Sequence, residues 1–198
     1  MQAITVYCGS STELEPEFHS AAKIVGREIG NRNITLVYGG GCIGLMGEVA
    51  KSAALHSARV VGVTTHKLVE HEQANESCDE LIVVDTMQER RSIMLDRADA
   101  FLVLPGGVGT YEEFFEILVG RQLGYHTKPI GIVNIGGYFD PLFRLLEHGI
   151  EHRFIRPALR QLTYTNSCPI DVLEHITSVS VSQPPPEDIL PMHSSNDI

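Results

Sequence analysis

No Cys-x-x-Cys pair occurs in this chain, and its four cysteines, Cys8, Cys42, Cys78 and Cys168, are scattered among 198 residues. That spacing argues against a zinc knuckle or a disulfide framework and leaves reduced, mostly buried thiols as the expectation. Long apolar runs are missing too. None approaches the roughly 20 residues of a membrane span, and no basic segment with a signal-type stretch opens the chain, so a cytoplasmic protein is expected. Positive charge is scarce: 15 lysines and arginines face 25 acids, a formal net charge of -10. Nucleic-acid backbones and anionic membranes are therefore poor partners, although a locally positive site can still take a small phosphate. Of nine histidines, His148 and His152 share a helical spacing. His148-Gly-Ile-Glu-His152 lacks the glutamate beside the first histidine that a zinc-protease helix requires, and no metal is expected.

What is present is an alternation of apolar runs with helical-period segments. Strands are expected at Ala3–Cys8, Ile34–Tyr38, Ala58–Thr65, Glu80–Val84, Ala100–Pro105 and Lys128–Ile135. Continuous apolar runs suit parallel strands covered on both faces, with the intervening helices as crossovers. The class is α/β, an open, mainly parallel sheet wound on both sides. A hydrophobic fraction of 43% suffices for a single domain over residues 1–180. Residues 181–198 shift to proline, serine and acid, and the run Pro184–Pro186 can continue neither a helix nor a central strand, so a tail is expected there.

In such sheets, ligands sit beyond the carboxyl ends of the strands. Three turns are expected on that edge: Cys8–Ser11, with Gly9 and Ser10; Gly39–Gly44, with Gly40 and Gly41; and Pro105–Thr110. Gly39-x-Gly41-x-x-Gly44 has the dinucleotide pattern but follows the second strand, and the acid required about twenty residues on is replaced by Thr64, Thr65 and His66. Nicotinamide is excluded on that ground. A P-loop is excluded because no Lys-Ser or Lys-Thr follows either glycine turn. In Pro105-Gly-Gly-Val-Gly-Thr110, the glycines Gly106, Gly107 and Gly109 allow backbone N–H groups to face an anion, with Val108 between them and Thr110 adding a hydroxyl. A turn that needs glycine for geometry alone is the plainer reading of one such loop; three along one edge favour phosphate.

Thr110-Tyr111-Glu112-Glu113 has the form of a capping box, which would give Glu113 a structural role. The alternative puts Glu113 in the pocket. Thr86 to Glu89 is a second box, which places Arg90 and Arg91 in the first turns of a helix, where the macrodipole disfavours cations. A carboxylate or an anionic ligand should therefore stand near Arg90, provided the fourth and fifth strands are neighbours; Arg91 reads equally well as a solvated surface charge. Phe114, Phe115, Ile117 and Leu118 form a stripe that suits either the protein's own sheet or a partner.

Thr86–Leu118, with Val37–Gly47 upstream and Gln122–Asn134 downstream, resembles the LOG (Lonely Guy) family of cytokinin riboside 5′-monophosphate phosphoribohydrolases, some of whose members carry a lysine-decarboxylase label. The PGGxGTxxE motif is complete from Pro105 to Glu113. The resemblance implies a Rossmann-like fold, a homodimer, and cleavage of nucleoside 5′-monophosphates to free base and ribose 5-phosphate without a cofactor. It also implies Glu113 and Arg90 as catalytic residues and Glu72 as a substrate contact, with Arg91, Glu112 and the 106–110 loop around the substrate. Arg91 stands where the family usually has lysine, and Val119-Gly120-Arg121 where many members have Thr-Trp-Ala. Pyridoxal chemistry needs a Schiff-base lysine, and none of Lys23, Lys51, Lys67 and Lys128 sits in a fitting motif.

The expected reaction is hydrolysis of the N-glycosidic bond, with Glu113 facing the cationic ribose and the glycines holding the phosphate. Two alternatives use the same cradle: a nucleotide-sensing module without turnover, and a general AMP nucleosidase.

Overall fold

The structure is a computed structural model that describes residues 1–71 and 78–179. Glu72 and the tail 181–198 lie outside the described residues. Among the described residues seven strands form one sheet: β1 (Ala3–Tyr7), β2 (Thr35–Tyr38), β3 (Val60–Thr65), β4 (Glu80–Val84), β5 (Ala100–Val103), β6 (Ile130–Val133) and β7 (Tyr164–Asn166), in the order β4-β3-β2-β1-β5-β6-β7. Every pairing is parallel. The strand period of two is legible in what each side chain meets. Ile4, Val6, Leu36, Tyr38, Ala100 and Leu102 enter one core, while Tyr7, Val37, Phe101 and Val103 enter the other.

Helices α1 (Pro16–Asn31), α2 (Gly44–Leu55) and α7 (Pro169–Ser178) cover the first face. Helices α4 (Met87–Asp96), α5 (Val108–Gln122) and α6 (Asp140–Glu151) cover the second, and a short α3 (His66–His71) follows β3. Helix α1 starts at a proline, whose missing N–H costs nothing there, and buries Ala21, Ala22, Val25 and Ile29 along one stripe. Phe114, Ile117 and Leu118 of α5 are buried against the protein's own sheet, the first of the two uses expected of that stripe. Of the four thiols, Cys8 is buried and the other three are half-buried.

Two expectations need correction. Strands β4 and β5 are not neighbours: β4 is the sheet edge and β5 lies beside β1, with β3, β2 and β1 between them. β7 went unread because Tyr-Thr-Asn offers no apolar run, and an edge strand need not have one. The order reverses at β1, whose neighbours are β2 and β5. A crevice opens at such a reversal, beyond the carboxyl ends of the two strands whose crossovers leave in opposite directions.

Candidate active site

The crevice holds a cavity of about 480 Å³, within the range of small-ligand sites. Its walls follow the sheet order. Tyr138, after β6, stands at one end; the loop Pro105–Thr110 comes next, then Gly9–Ser11 after β1, then Met46 and Arg90, with Leu68 and Met87 at the other end.

The first wall is the start of α5. Its N-cap residue is Gly107, which has no side chain to cap with, and Tyr111 N–H is the first to reach back, to the Gly107 carbonyl at 3.1 Å. The N–H groups of Val108, Gly109 and Thr110 belong to the turn that has no intrahelical acceptor, and all three residues line the cavity. The helix therefore begins earlier than a Thr110 capping box would require. Thr110 is inside the first turn and Glu113 in the second, so the cap role is not what holds Glu113.

The glycines of this loop divide in two. A Cβ at Gly106 would come within 2.2 Å of the Thr110 hydroxyl oxygen and 2.8 Å of the Gly9 nitrogen, so packing alone demands glycine. At Gly107 and Gly109 a Cβ would meet nothing within 4 Å, and neither has a positive φ. Among the described residues nothing requires them to be glycine, and both line the cavity.

The second wall is an ion pair. Arg90 Nη1 donates to Glu113 Oε1 at 3.2 Å, and both side chains are buried. Arg90 Nε also donates to the Val63 carbonyl at 3.0 Å, which anchors the guanidinium over the end of β3. Its arrival needs no β4–β5 adjacency, because α4 leaves the edge strand and crosses back over the sheet toward β5. The Thr86–Glu89 capping box is formed, and it fixes the start of α4 just before Arg90. Gly39 makes the space: a Cβ there would lie 2.5 Å from Arg90 Nη2.

Burial pushes the Glu113 carboxyl up to about 7, against the pull of Arg90 and with a smaller push from Glu112. The group thus titrates near neutrality, as an acid–base residue must. Cys8, on the cavity floor, has its thiol held far above the usual range by burial and by Glu113, which makes it a poor nucleophile.

The other expected residues fall around this centre. Gly9, Ser10, Gly106, Gly107, Val108, Gly109 and Thr110 all line the cavity. Arg91 and Glu112 do not. Arg91 pairs with Glu112 and Glu116, each at 2.9 Å, and ties α4 to α5 on the outer side of the buried pair. Gly40 and Gly41 also stay off the wall, and Gly40 packs against Thr64. The third glycine of that pattern, Gly44, has φ +58 and brings α2 against the Ser10 backbone, where a Cβ would clash at 2.4 Å. The GGGCIG stretch thus builds the walls from behind. Sequence reasoning missed Leu14, Phe18, Met46, Leu68, Met87 and Tyr138, apolar and aromatic residues drawn from four helices and two loops with no shared spacing.

Among the described residues no lysine lines the cavity, and Lys128 spends its ammonium on the Leu95 carbonyl at 2.6 Å. A pyridoxal cofactor does not fit these residues.

Comparison with known proteins gives the family. Residues 46–176 match the family described as possible lysine decarboxylase. A probable cytokinin riboside 5′-monophosphate phosphoribohydrolase of Oryza sativa subsp. japonica is 43% identical over 162 residues, covering 82% of this chain and 70% of the relative. A cytokinin riboside 5′-monophosphate phosphoribohydrolase of Arabidopsis thaliana is 39% identical over 159 residues, covering 80% and 75%. Among solved structures, a molybdenum cofactor binding protein from Rippkaea orientalis superposes with a TM-score of 0.69 at 21% identity, covering 89% of this chain and 96% of that one. That likeness speaks for the Rossmann-type fold. With the family match spanning most of the sheet and relatives at this level of identity, the chain belongs to the LOG (Lonely Guy) family.

Proposed function

We propose that this protein hydrolyses the N-glycosidic bond of adenosine 5′-monophosphates, N6-substituted ones included, to free base and ribose 5-phosphate. The observation that carries the reading is the pairing of Gly107 and Gly109, glycine for no internal reason, with a buried carboxyl one helical turn further on. One turn advances about 5.4 Å, roughly the reach from a 5′-phosphate across its ribose. The phosphate accepts from the open N–H groups at the start of α5, where the helix carries partial positive charge. Remote binding energy from the phosphate then aligns the sugar over Glu113.

As the bond to the base lengthens, positive charge grows on the ribose. Ionised Glu113 stabilises it and takes a proton from the attacking water, whose hydroxyl goes to the anomeric carbon. The proton that Glu113 takes from the water is the one the departing base ends with, which returns the carboxylate and balances water plus nucleotide against free base plus ribose 5-phosphate. Arg90 holds the carboxylate in place. The base lies toward Met46, Leu68 and Met87, an apolar end suited to a purine and to an N6 substituent. The family's curated relatives, named for cytokinin riboside 5′-monophosphates, support the same substrate class.

Release of free base from AMP and from N6-isopentenyl-AMP, for wild type and Glu113→Gln, tests the proposal. Turnover lost in a variant that still binds nucleotide supports it, and the faster substrate separates a cytokinin-activating enzyme from a general nucleosidase. No release by a folded wild type that binds AMP would leave a binding module instead. We also propose that the chain works as a cytoplasmic homodimer, for which family resemblance and the exposed Val119, Leu123 and Tyr125 at the end of α5 speak; sedimentation velocity tests the dimer.

A further inference from the structure

Tyr138 has a place at the cavity that no sequence motif announced. It follows the glycine turn Ile135–Gly137 after β6, and Asn134 anchors the next residue by accepting from Phe139 N–H at 2.7 Å. The Tyr138 ring stands edge-on to Phe18 at 6.0 Å. Its hydroxyl donates to the Gly106 carbonyl at 2.6 Å and accepts from the Tyr111 hydroxyl at 3.1 Å. Gly106 and Tyr111 bracket the residues whose N–H groups open into the cavity. The three residues therefore close a hydrogen-bonded ring around the phosphate turn.

We propose that Tyr138, oriented by Tyr111, is a positioning residue for the 5′-phosphate, stapling the two ends of the Gly106–Tyr111 turn so that its N–H groups converge on one anion. This rests on the reading that the turn holds the phosphate. In a trans peptide the N–H lies opposite the carbonyl. A Gly106 carbonyl drawn to Tyr138 therefore fixes where the Gly107 N–H is aimed, and it keeps a negative oxygen away from the anion. The chain of donors leaves Tyr138 no alternative role: its single proton goes to Gly106, so from Tyr111 it can only accept. Burial and Tyr111 push the Tyr138 hydroxyl up to about 12, and the donor stays protonated over the working range. Tyr138 touches the loop that holds the phosphate rather than the bond that breaks, so its effect belongs to binding and alignment.

The experiment measures ribose 5-phosphate and adenosine binding by calorimetry for wild type, Tyr138→Phe and Tyr111→Phe, with base release from AMP in parallel. Tyr138→Phe keeps the ring and removes one hydrogen bond, which predicts about fivefold weaker ribose 5-phosphate binding. Adenosine binding is expected to be unchanged, and the KM for AMP should rise about as much with kcat within about twofold. Tyr111→Phe, which removes only the outer link, should give a smaller loss of the same kind, and it carries the test if Tyr138→Phe fails to fold. Equal losses for adenosine and ribose 5-phosphate would mark Tyr138 as merely structural and overturn the staple. So would ribose 5-phosphate binding at the wild-type level, or a wild type that does not bind it. A wild type that binds ribose 5-phosphate, is weakened by Tyr138→Phe and yet releases no base would support the staple and sink the hydrolase reading alone.

Discussion

Arg90 Nη1 lies 3.2 Å from Glu113 Oε1, and both side chains are buried in the wall of a crevice that opens to solvent. Desolvating a carboxylate is costly, and one partner cation only partly offsets the cost. Burial outweighs Arg90 here, since the carboxyl is raised from 4.5 to about 7. A site that keeps such a pair is holding a charge ready for something that arrives later. In the proposed reaction that is the cationic ribose.

The first prediction concerns pH and activity. With ionised Glu113 as the working form, kcat/KM should rise about tenfold per pH unit below about 7 and level off above it. The phosphate's own second ionisation near 6 falls about a unit lower. A pH–rate profile with AMP checks this. A rate that falls through 7 would mean that the protonated acid is the active form.

The same shift has a stability consequence of opposite sign. A carboxyl raised from 4.5 to about 7 holds its proton more tightly in the folded state than in the unfolded one. Its contribution is present in full below about 4.5, is lost as pH rises through about 7, and is level beyond. Glu113→Gln mimics the neutral acid at every pH. Its melting temperature relative to wild type should therefore climb between pH 5 and pH 8, while its activity is gone at both. Thermal scans at the two pH values decide it; a constant difference would mean that the carboxyl is not raised.

Arg90→Gln should cost about 10²–10³ in kcat, a charge-stabilising group's typical share. It should also move the inflection of the pH–rate profile above 7, because the cation that opposes Glu113's desolvation is gone. An unmoved inflection would show that the pair is not coupled.

Gly109→Ala separates function from fold. Gly109 sits in the first turn of α5 with open space where its Cβ would be. Alanine is the better helix residue by up to about 1 kcal/mol, which predicts a melting temperature raised by about 2–4 °C. In the proposed reading the added methyl crowds the phosphate, and ribose 5-phosphate binding should fall at least about tenfold. That magnitude follows from crowding a site built for close backbone approach. Stability and binding moving together would refute the idea that a ligand, not the fold, requires this glycine.

How much of this the sequence disclosed depended on whether the determinant was local. Continuous apolar runs gave six strands and the sheet class, because burial on both faces writes itself into each strand separately. Strand order is a property of the crossovers. Placing β4 next to β5 was the natural inference from chain order and was wrong by three strands. Thr86–Glu89 and Thr110–Glu113 have the same spelling, yet only the first is a capping box, since α5 already starts at Val108 and leaves Thr110 inside it. Arg90 and Glu113 were legible because a cation early in a helix calls for a partner. Tyr138 and Met46 were not, since they reach the cavity from elements whose packing no spacing encodes.

The last prediction comes from the glycine pattern that resembled a dinucleotide fingerprint. Gly39 lies behind the site, and an added Cβ would stand 2.5 Å from Arg90 Nη2 and 3.0 Å from the Met46 sulfur. Both atoms are far ends of flexible side chains, so the backbone need not move; the guanidinium must. Gly39→Ala should therefore cost only about 1–3 kcal/mol, as overpacking does, and leave a folded protein. Arg90 anchors through Nε to Val63 and reaches Glu113 through Nη1, and a shift large enough to clear the methyl breaks the second contact first, because it is the longer one, at 3.2 Å against 3.0 Å. Activity should fall nearly as far as in Arg90→Gln, with the same upward move of the pH inflection. Calorimetric unfolding together with the pH–rate profile checks both halves. A folded Gly39→Ala with a wild-type profile would mean that the Arg90 guanidinium has room that this packing denies it.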